Sequence, residues 1–236
     1  MAPLSVAVTS FSGDDEASCL HVTAHRSFGE RYPENTVCAA WEASDHADAV
    51  EVDVRRCGSG ELVASHWDHV GFVTDGEGDI DELSAAELAA LDVGDSSYGI
   101  PPVTDVLDAI PPEVGVVLDL KERGVAADVV NLARRVPNDT VVASFHPDPL
   151  WRTRMFDESI PVAYNFDLRP DSNFETAAAL DCEYAFPHWT LCLATDVVER
   201  AHDAGMAVHA WPVGSRMLAR ALSRGGVDGV VATEPL

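Results

Sequence analysis

Lysine is almost missing from this sequence. Of 15 basic residues only Lys121 is a lysine, against 40 acidic residues, which gives a formal net charge of -25 and an isoelectric point near 4.4. The chain has no basic stripe to meet the phosphates of nucleic acid, and an anionic membrane surface repels so acidic a protein. Nucleic acid is therefore excluded as a partner, and stable membrane insertion is not expected. The acidity fits adaptation to high salt, with an ordinary acidic cytosolic protein as the plainer alternative; either way it describes a solvated surface and not an activity. An anionic substrate approaching such a protein would need a bound cation to draw it in.

Other absences narrow the class further. Cys19, Cys38, Cys57, Cys182 and Cys192 are odd in number, scattered, and form no C-x-x-C pair, so neither a disulfide framework nor a zinc site is indicated and the thiols read as reduced. No run approaches the ~18 apolar residues that span a bilayer, and the mildly apolar N-terminus lacks a positive leading segment. A cytoplasmic protein is expected. No linker, repeat or low-complexity stretch divides the chain, so residues 1–236 read as one domain.

Short apolar, β-branched runs alternate with helix-period segments along the chain, the signature of a parallel sheet. Eight strands are expected, at Leu20–Ala24, Ala49–Val54, Val114–Leu120, Thr140–Phe145, Pro161–Asn165, Glu183–Phe186, Ala207–Trp211 and Gly229–Ala232. Helices are expected near Asn35–Ala43, Val103–Ala109, Ala126–Arg135, Pro149–Phe156, Phe174–Leu180, Asp196–Ala204 and Ser215–Ser223. The fold class is α/β, and eight such units close into a TIM (β/α)₈ barrel. An open doubly wound sheet is the alternative, but no G-x-G-x-x-G follows the first strand. One segment breaks the alternation: Glu61–His66 follows the second strand too closely for a parallel crossover and must fold back as a hairpin. A turn centred on Cys57–Ser59 would set His66 opposite Glu51. Residues 67–100 then form a small insertion carrying one short helix near Ser84–Leu91.

In VEVDVRR, Glu51 and Asp53 are two apart on a strand and share a face, with Val52 and Val54 on the other. In VVLDLK, Asp119 and Lys121 repeat the pattern. The apolar faces of barrel strands pack on the helices, so these three carboxylates should converge inside the barrel near its carboxyl end. Hard oxygen ligands of this kind suit Mg²⁺ or Ca²⁺. Lys121 stands out in an arginine-preferring sequence, and a compact ammonium suits a phosphate oxygen. The first strand ends in His25 and Arg26 beside the acid pair, and the hairpin returns His66 to it; two imidazoles flanking a metal site are what general acid and base catalysis requires. The remaining histidines read as surface or satisfied core residues.

The succession AHR, PENT, VEVDVR, a hairpin to SH, then VLDLK resembles the glycerophosphodiester phosphodiesterase family, and VVASFHPDPL, VHAWPV and GGVDGVVATEP extend the resemblance over nearly the whole chain. It implies a TIM barrel in which Glu51, Asp53 and Asp119 hold Ca²⁺ or Mg²⁺ and His25 and His66 serve as the acid/base pair. It also implies that Arg26 and Lys121 contact the phosphate, that Glu34 supports the site and that Trp211 lies beside the alcohol part of a small glycerophosphodiester. Three positions depart from the family pattern: Ser27 stands where glycine is usual, Asp119 where glutamate is usual, and His66-Trp67-Asp68 interrupts a His-Asp pair. Ser27 is expected to bear on substrate fit. A phospholipase-type relative acting on lipid phosphodiesters and a non-catalytic anion- or metal-binding barrel remain the rival readings, and the sequence sets no oligomeric state.

Overall fold

The computed structural model describes residues 20–236; Cys19 and the apolar N-terminal stretch lie outside them. Eight parallel strands close into a barrel: β1 (His21–Ala24), β2 (Ala49–Arg56), β4 (Gly115–Leu120), β5 (Thr140–Ser144), β6 (Val162–Phe166), β7 (Tyr184–Pro187), β8 (Ala207–Val213) and β9 (Gly229–Ala232). β1 pairs with both β2 and β9, which completes the ring. β3 (Leu62–Ala64) runs antiparallel to β2 as the returning arm of the expected hairpin. All eight expected barrel strands are present, with ends shifted by up to two residues.

Helices occupy the outside: α1 (Val37–Ser44), α3 (Val103–Ala109), α4 (Ala126–Ala133), α5 (Pro147–Phe156), α6 (Pro170–Ala179), α7 (Trp189–Ala194), α8 (Val197–Asp203) and α9 (Arg216–Arg224). Strand parity divides the two cores. Val50, Val52, Val54, Leu118 and Leu120 face outward and pack with Val103, Val106, Val129 and Leu150 from the helices. Each such valine or leucine taken from water contributes about 1.5–3 kcal/mol. The opposite parity fills the barrel with Val117, Ala143, Ala163, Phe186 and Val231. Residues after β3 form the insertion, whose helix α2 (Ala85–Ala89) starts at a reciprocal cap between Ser84 and Glu87. Its own small core, Val70, Ile80, Leu88, Val93 and Ile100, rests on Cys57 and Val63 of the hairpin.

The hairpin register differs from expectation by one residue. Val54 pairs with Ala64 and Arg56 with Leu62, so continuing the ladder would bring His66 to Val52 and not to Glu51. The cause is the turn: Gly60 N–H donates to Cys57 O at 2.9 Å and Cys57 N–H to Glu61 O at 3.0 Å, which centres it on Ser59. The regular ladder ends at Ala64, and beyond it the chain turns His66 toward Asp53.

The lower half of the barrel holds a buried imidazole. His209 stacks on Phe186 with centroids 5.2 Å apart, meets the Tyr184 ring at 5.3 Å and faces His21 at 5.0 Å. Gly229 is the residue that fits beside it, because a Cβ there would come within 2.7 Å of the ring. Its Nδ1 is buried with no partner among the described residues. Burial, reinforced by the neighbouring His21, pushes its pKa down to about 3. The unfolded chain therefore takes up this proton first, at its ordinary value of ~6.5, and the stability that neutral His209 supplies is complete above that value and lost as pH falls toward the folded one. Urea unfolding between about pH 6.5 and pH 5 should show a loss of up to ~1.4 kcal/mol per pH unit from this group. His209→Leu should flatten the slope by that amount, and identical slopes would count against the assignment.

Candidate active site

Chain geometry at the end of β1 is unusual. Arg26, Ser27 and Phe28 all adopt left-handed backbone angles, with φ of 50°, 60° and 59°. This tight turn points the Arg26 N–H at Glu51 Oε2, 3.1 Å away, and sets His25 Nε2 3.7 Å from the same oxygen. Ser27 is where the strain is least compensated. Its side chain is fully buried, its hydroxyl has no partner among the described residues, and it is not among the residues that line the cavity. The left-handed conformation costs a non-glycine residue about 1 kcal/mol. Ser27→Gly should raise unfolding stability by roughly that amount and leave kcat/KM within about twofold, measured by denaturant titration and steady-state hydrolysis.

Glu51, Asp53 and Asp119 project into the barrel from β2 and β4, where Asp53 and Asp119 are directly paired. All three are buried. One carboxylate oxygen from each lies within 4.8 Å of the others. Burial and the charges of Asp53 and Asp119 push the Glu51 carboxyl up to about 8. Burial also opposes the charge on Asp53, but Lys121, His66 and Arg26 hold its carboxyl well below the usual carboxylate range. Lys121 Nζ lies 2.8 Å from Asp53 Oδ1 and 2.5 Å from Asp119 Oδ2; despite burial, these carboxylates hold its ammonium above the ordinary lysine range. The Lys121 ammonium and the Arg26 guanidinium, 3.8 Å from Asp53, face three acids, and Glu51, which no cationic side chain among the described residues touches, keeps its proton at neutral pH. Asp119 Oδ1 is buried without a hydrogen-bond partner among the described residues. A hard divalent cation fits this donor set, because it supplies both a positive charge beside Glu51 and a partner for the free oxygens.

The second imidazole completes the ring around the acids. His66 Nδ1 lies 3.5 Å from Asp53 Oδ2, and Arg26 Nη2 lies 3.0 Å from His66 Nε2. A guanidinium can only donate, so Nε2 is the acceptor and the ring proton sits on Nδ1, toward Asp53. His25 is held neutral: burial, then the positive charge of Arg26, pushes it down to about 3. Glu34 accepts from Arg26 Nη1 at 3.3 Å and so steadies the guanidinium. Trp67, the residue that interrupts the His-Asp pair, packs edge-on against His66 at 4.9 Å and under the Arg26 guanidinium at 5.6 Å. The interruption thus backs the His66 ring and the Arg26 guanidinium with an aromatic face.

A cavity of about 410 Å³ opens over these groups, lined by His25, Arg26, Glu51, His66, Asp119 and Lys121 together with Phe145, His146, Asp167 and Trp211. Trp211 donates through Nε1 to Phe186 O at 2.6 Å and stands edge-on to Phe145 at 5.1 Å. Every residue expected at the site from the sequence is brought together here, with Glu34 one contact removed through Arg26.

Several contributors escaped the sequence reading. Asn35, the third residue of PENT, donates through Nδ2 to Asp53 Oδ2 at 2.8 Å and accepts the Asp53 N–H at 3.0 Å. Arg55 donates twice to His66 O, at 3.1 and 3.0 Å, which fixes the chain where the hairpin ends. Asn165 donates to Asp119 at 3.1 Å. His146 lines the cavity, although it was placed among the surface and core histidines. Strand parity was the available signal for Asn165, the one amide on an otherwise apolar β6.

The comparisons with known proteins agree with this fold. The glycerophosphoryl diester phosphodiesterase family model matches residues 25–235. A Bacillus subtilis protein, YhdW, provisionally named a glycerophosphodiester phosphodiesterase, is 27% identical over 234 residues that cover 92% of this chain and 95% of the relative. Among solved structures, a phosphodiesterase of Oleispira antarctica in complex with the product sn-glycerol-3-phosphate superposes with a TM-score of 0.82 at 26% identity, covering 91% of this chain and 93% of its own. The Thermotoga maritima glycerophosphodiester phosphodiesterase, at 22% identity, TM-score 0.80 and 91% and 95% coverage, shares the fold. No helix among the described residues is long and apolar enough to cross a membrane. With the family model spanning all but the first 24 residues and the last, the chain belongs to the glycerophosphoryl diester phosphodiesterase family and is an enzyme of that kind.

Proposed function

We propose that this chain is a cytoplasmic, divalent-metal-dependent hydrolase that cleaves small glycerophosphodiesters to glycerol phosphate and an alcohol, with His25 and His66 as its acid/base pair. The carrying observation is the convergence of Glu51, Asp53 and Asp119 between two imidazoles, His25 at 3.7 Å from Glu51 and His66 at 3.5 Å from Asp53. A cation held by the three carboxylates, Mg²⁺ or Ca²⁺, supplies Lewis-acid stabilisation of the charge that gathers on the phosphoryl oxygens.

The chain's own residues do the rest. Arg26 and Lys121 reach the cavity as fixed cations and hold the non-bridging oxygens, an electrostatic role that strengthens as negative charge builds in the transition state. Glu34 and the Trp67 face keep the Arg26 guanidinium from swinging out into solvent. One imidazole, neutral at the start, takes the proton of the attacking hydroxyl, whether from water or from the neighbouring glycerol hydroxyl, and the other, protonated from solvent before the step, gives that proton to the departing alkoxide, so charge is never left on either oxygen. The alcohol part lies toward Phe145 and Trp211, the aromatic pair lining the cavity.

The test is hydrolysis of glycerophosphocholine and glycerophosphoethanolamine at molar salt with Mg²⁺ or Ca²⁺. Release of glycerol phosphate that stops on chelation and returns with metal is expected. Metal binding without turnover of any glycerophosphodiester would leave a binding barrel as the better reading.

A further inference from the structure

Asp119 Oδ2 receives two donors, Lys121 Nζ at 2.5 Å and Asn165 Nδ2 at 3.1 Å, whereas its Oδ1 is buried with no partner among the described residues. The approach of Asn165 depends on two alanines. Asp119 is paired with Ala143 on β5, and Ala143 with Ala163 on β6; both alanines are fully buried. Their small side chains leave the space over which the Asn165 amide reaches from β6 across β5 to β4. Asn165 itself is buried and lines the cavity.

We infer that Asn165 is a positioning residue for the metal centre: with Lys121 it occupies one oxygen of Asp119 and reserves the other for the cation. This rests on the metal-binding role of the three carboxylates proposed above. A short aspartate side chain has a freely rotating carboxyl group, and without a second donor the Lys121 ammonium could be shared by either oxygen. A donor on each side of Oδ2, one from the same strand and one from two strands away, removes that choice. The carboxyl then meets the cation with its orientation already set, which lowers the ordering cost of binding. Lys121 alone cannot do this, because its ammonium is shared with Asp53 Oδ1.

The experiment is calorimetric titration of the metal-stripped full chain with Mg²⁺ and with Ca²⁺, for wild type, Asn165→Leu and Asn165→Ala, alongside thermal melting of each protein without metal. Leucine keeps the volume of the amide, and alanine covers the case in which leucine prevents folding. The expected result is a Kd raised about 10-fold or more in both variants, the usual effect of losing a group that orients a ligand, with metal-free melting temperatures within about 2 °C of wild type. An unchanged Kd, or a fall in metal-free stability without a change in Kd, overturns the inference, as does failure of both variants to fold. Absence of binding by wild type would instead overturn the metal reading itself.

Discussion

Replacing Asp53 by asparagine is expected to abolish measurable binding of Mg²⁺ or Ca²⁺ and to lower kcat/KM about 1000-fold, a loss of roughly 4 kcal/mol of transition-state stabilisation. No other residue of the site is so fully committed. Asp53 is entirely buried and faces Lys121 at 2.8 Å, Arg26 Nε at 3.8 Å, His66 at 3.5 Å and Asn35 at 2.8 Å. Asparagine keeps the volume and removes the charge. Four charged or proton-bearing groups then face a neutral amide, and His66 loses the carboxylate that favours its proton on Nδ1. Lys121 still has Asp119, so the cost in folding should stay below the ~3–5 kcal/mol of an ion pair broken with no alternative partner. Circular dichroism and calorimetry separate the outcomes: a folded protein that no longer binds metal is expected, and a folded variant with wild-type Kd and kcat/KM would remove Asp53 from the site.

The barrel was legible because parallel strands announce themselves. VEVDV and VVLDL carry apolar residues on the face toward the helices whatever the other face does, so the three acids stood out against a pattern that otherwise demanded valine. Helix boundaries were less legible where a proline-led first turn precedes the apolar residues: α6 starts at Pro170, four residues before the expected Phe174, and α5 at Pro147 rather than Pro149. α7 was missed because six residues, WTLCLA, are too few to show a helical period. The hairpin register slipped by one because Cys57–Glu61 can turn about either Gly58 or Ser59, and only tertiary packing of the insertion against Gly58 chooses. The supporting amides are harder still. Asn35 and Asn165 touch acids 18 and 46 residues away; strand parity points Asn165 into the barrel, but nothing local to either residue names its partner. Ser27 shows the converse, since its departure from glycine was visible at once but its consequence depends on a backbone angle that only the fold supplies.

His66→Ala and His25→Ala should each reduce kcat by about 10²–10⁴ with little change in KM, the range for removing a proton-transfer group that does not bind the ground state. The two losses should not multiply in the double variant, because once one proton cannot move the other transfer no longer limits the reaction. The structure gives each imidazole a different support. His66 is held through its carbonyl by Arg55 and through its ring by Arg26 and Trp67, and His25 is held by burial next to Glu51. Both rings are placed before substrate arrives, so alanine removes chemistry more than it removes structure. A p-nitrophenyl ester of glycerol phosphate then separates their roles. Its leaving group departs without a proton, so the variant lacking the acid should recover most of its loss on this ester, while the variant lacking the base should stay slow. Equal recovery of both variants would mean that neither ring is the acid, and kcat within about tenfold of wild type in either variant would remove that histidine from the proton relay.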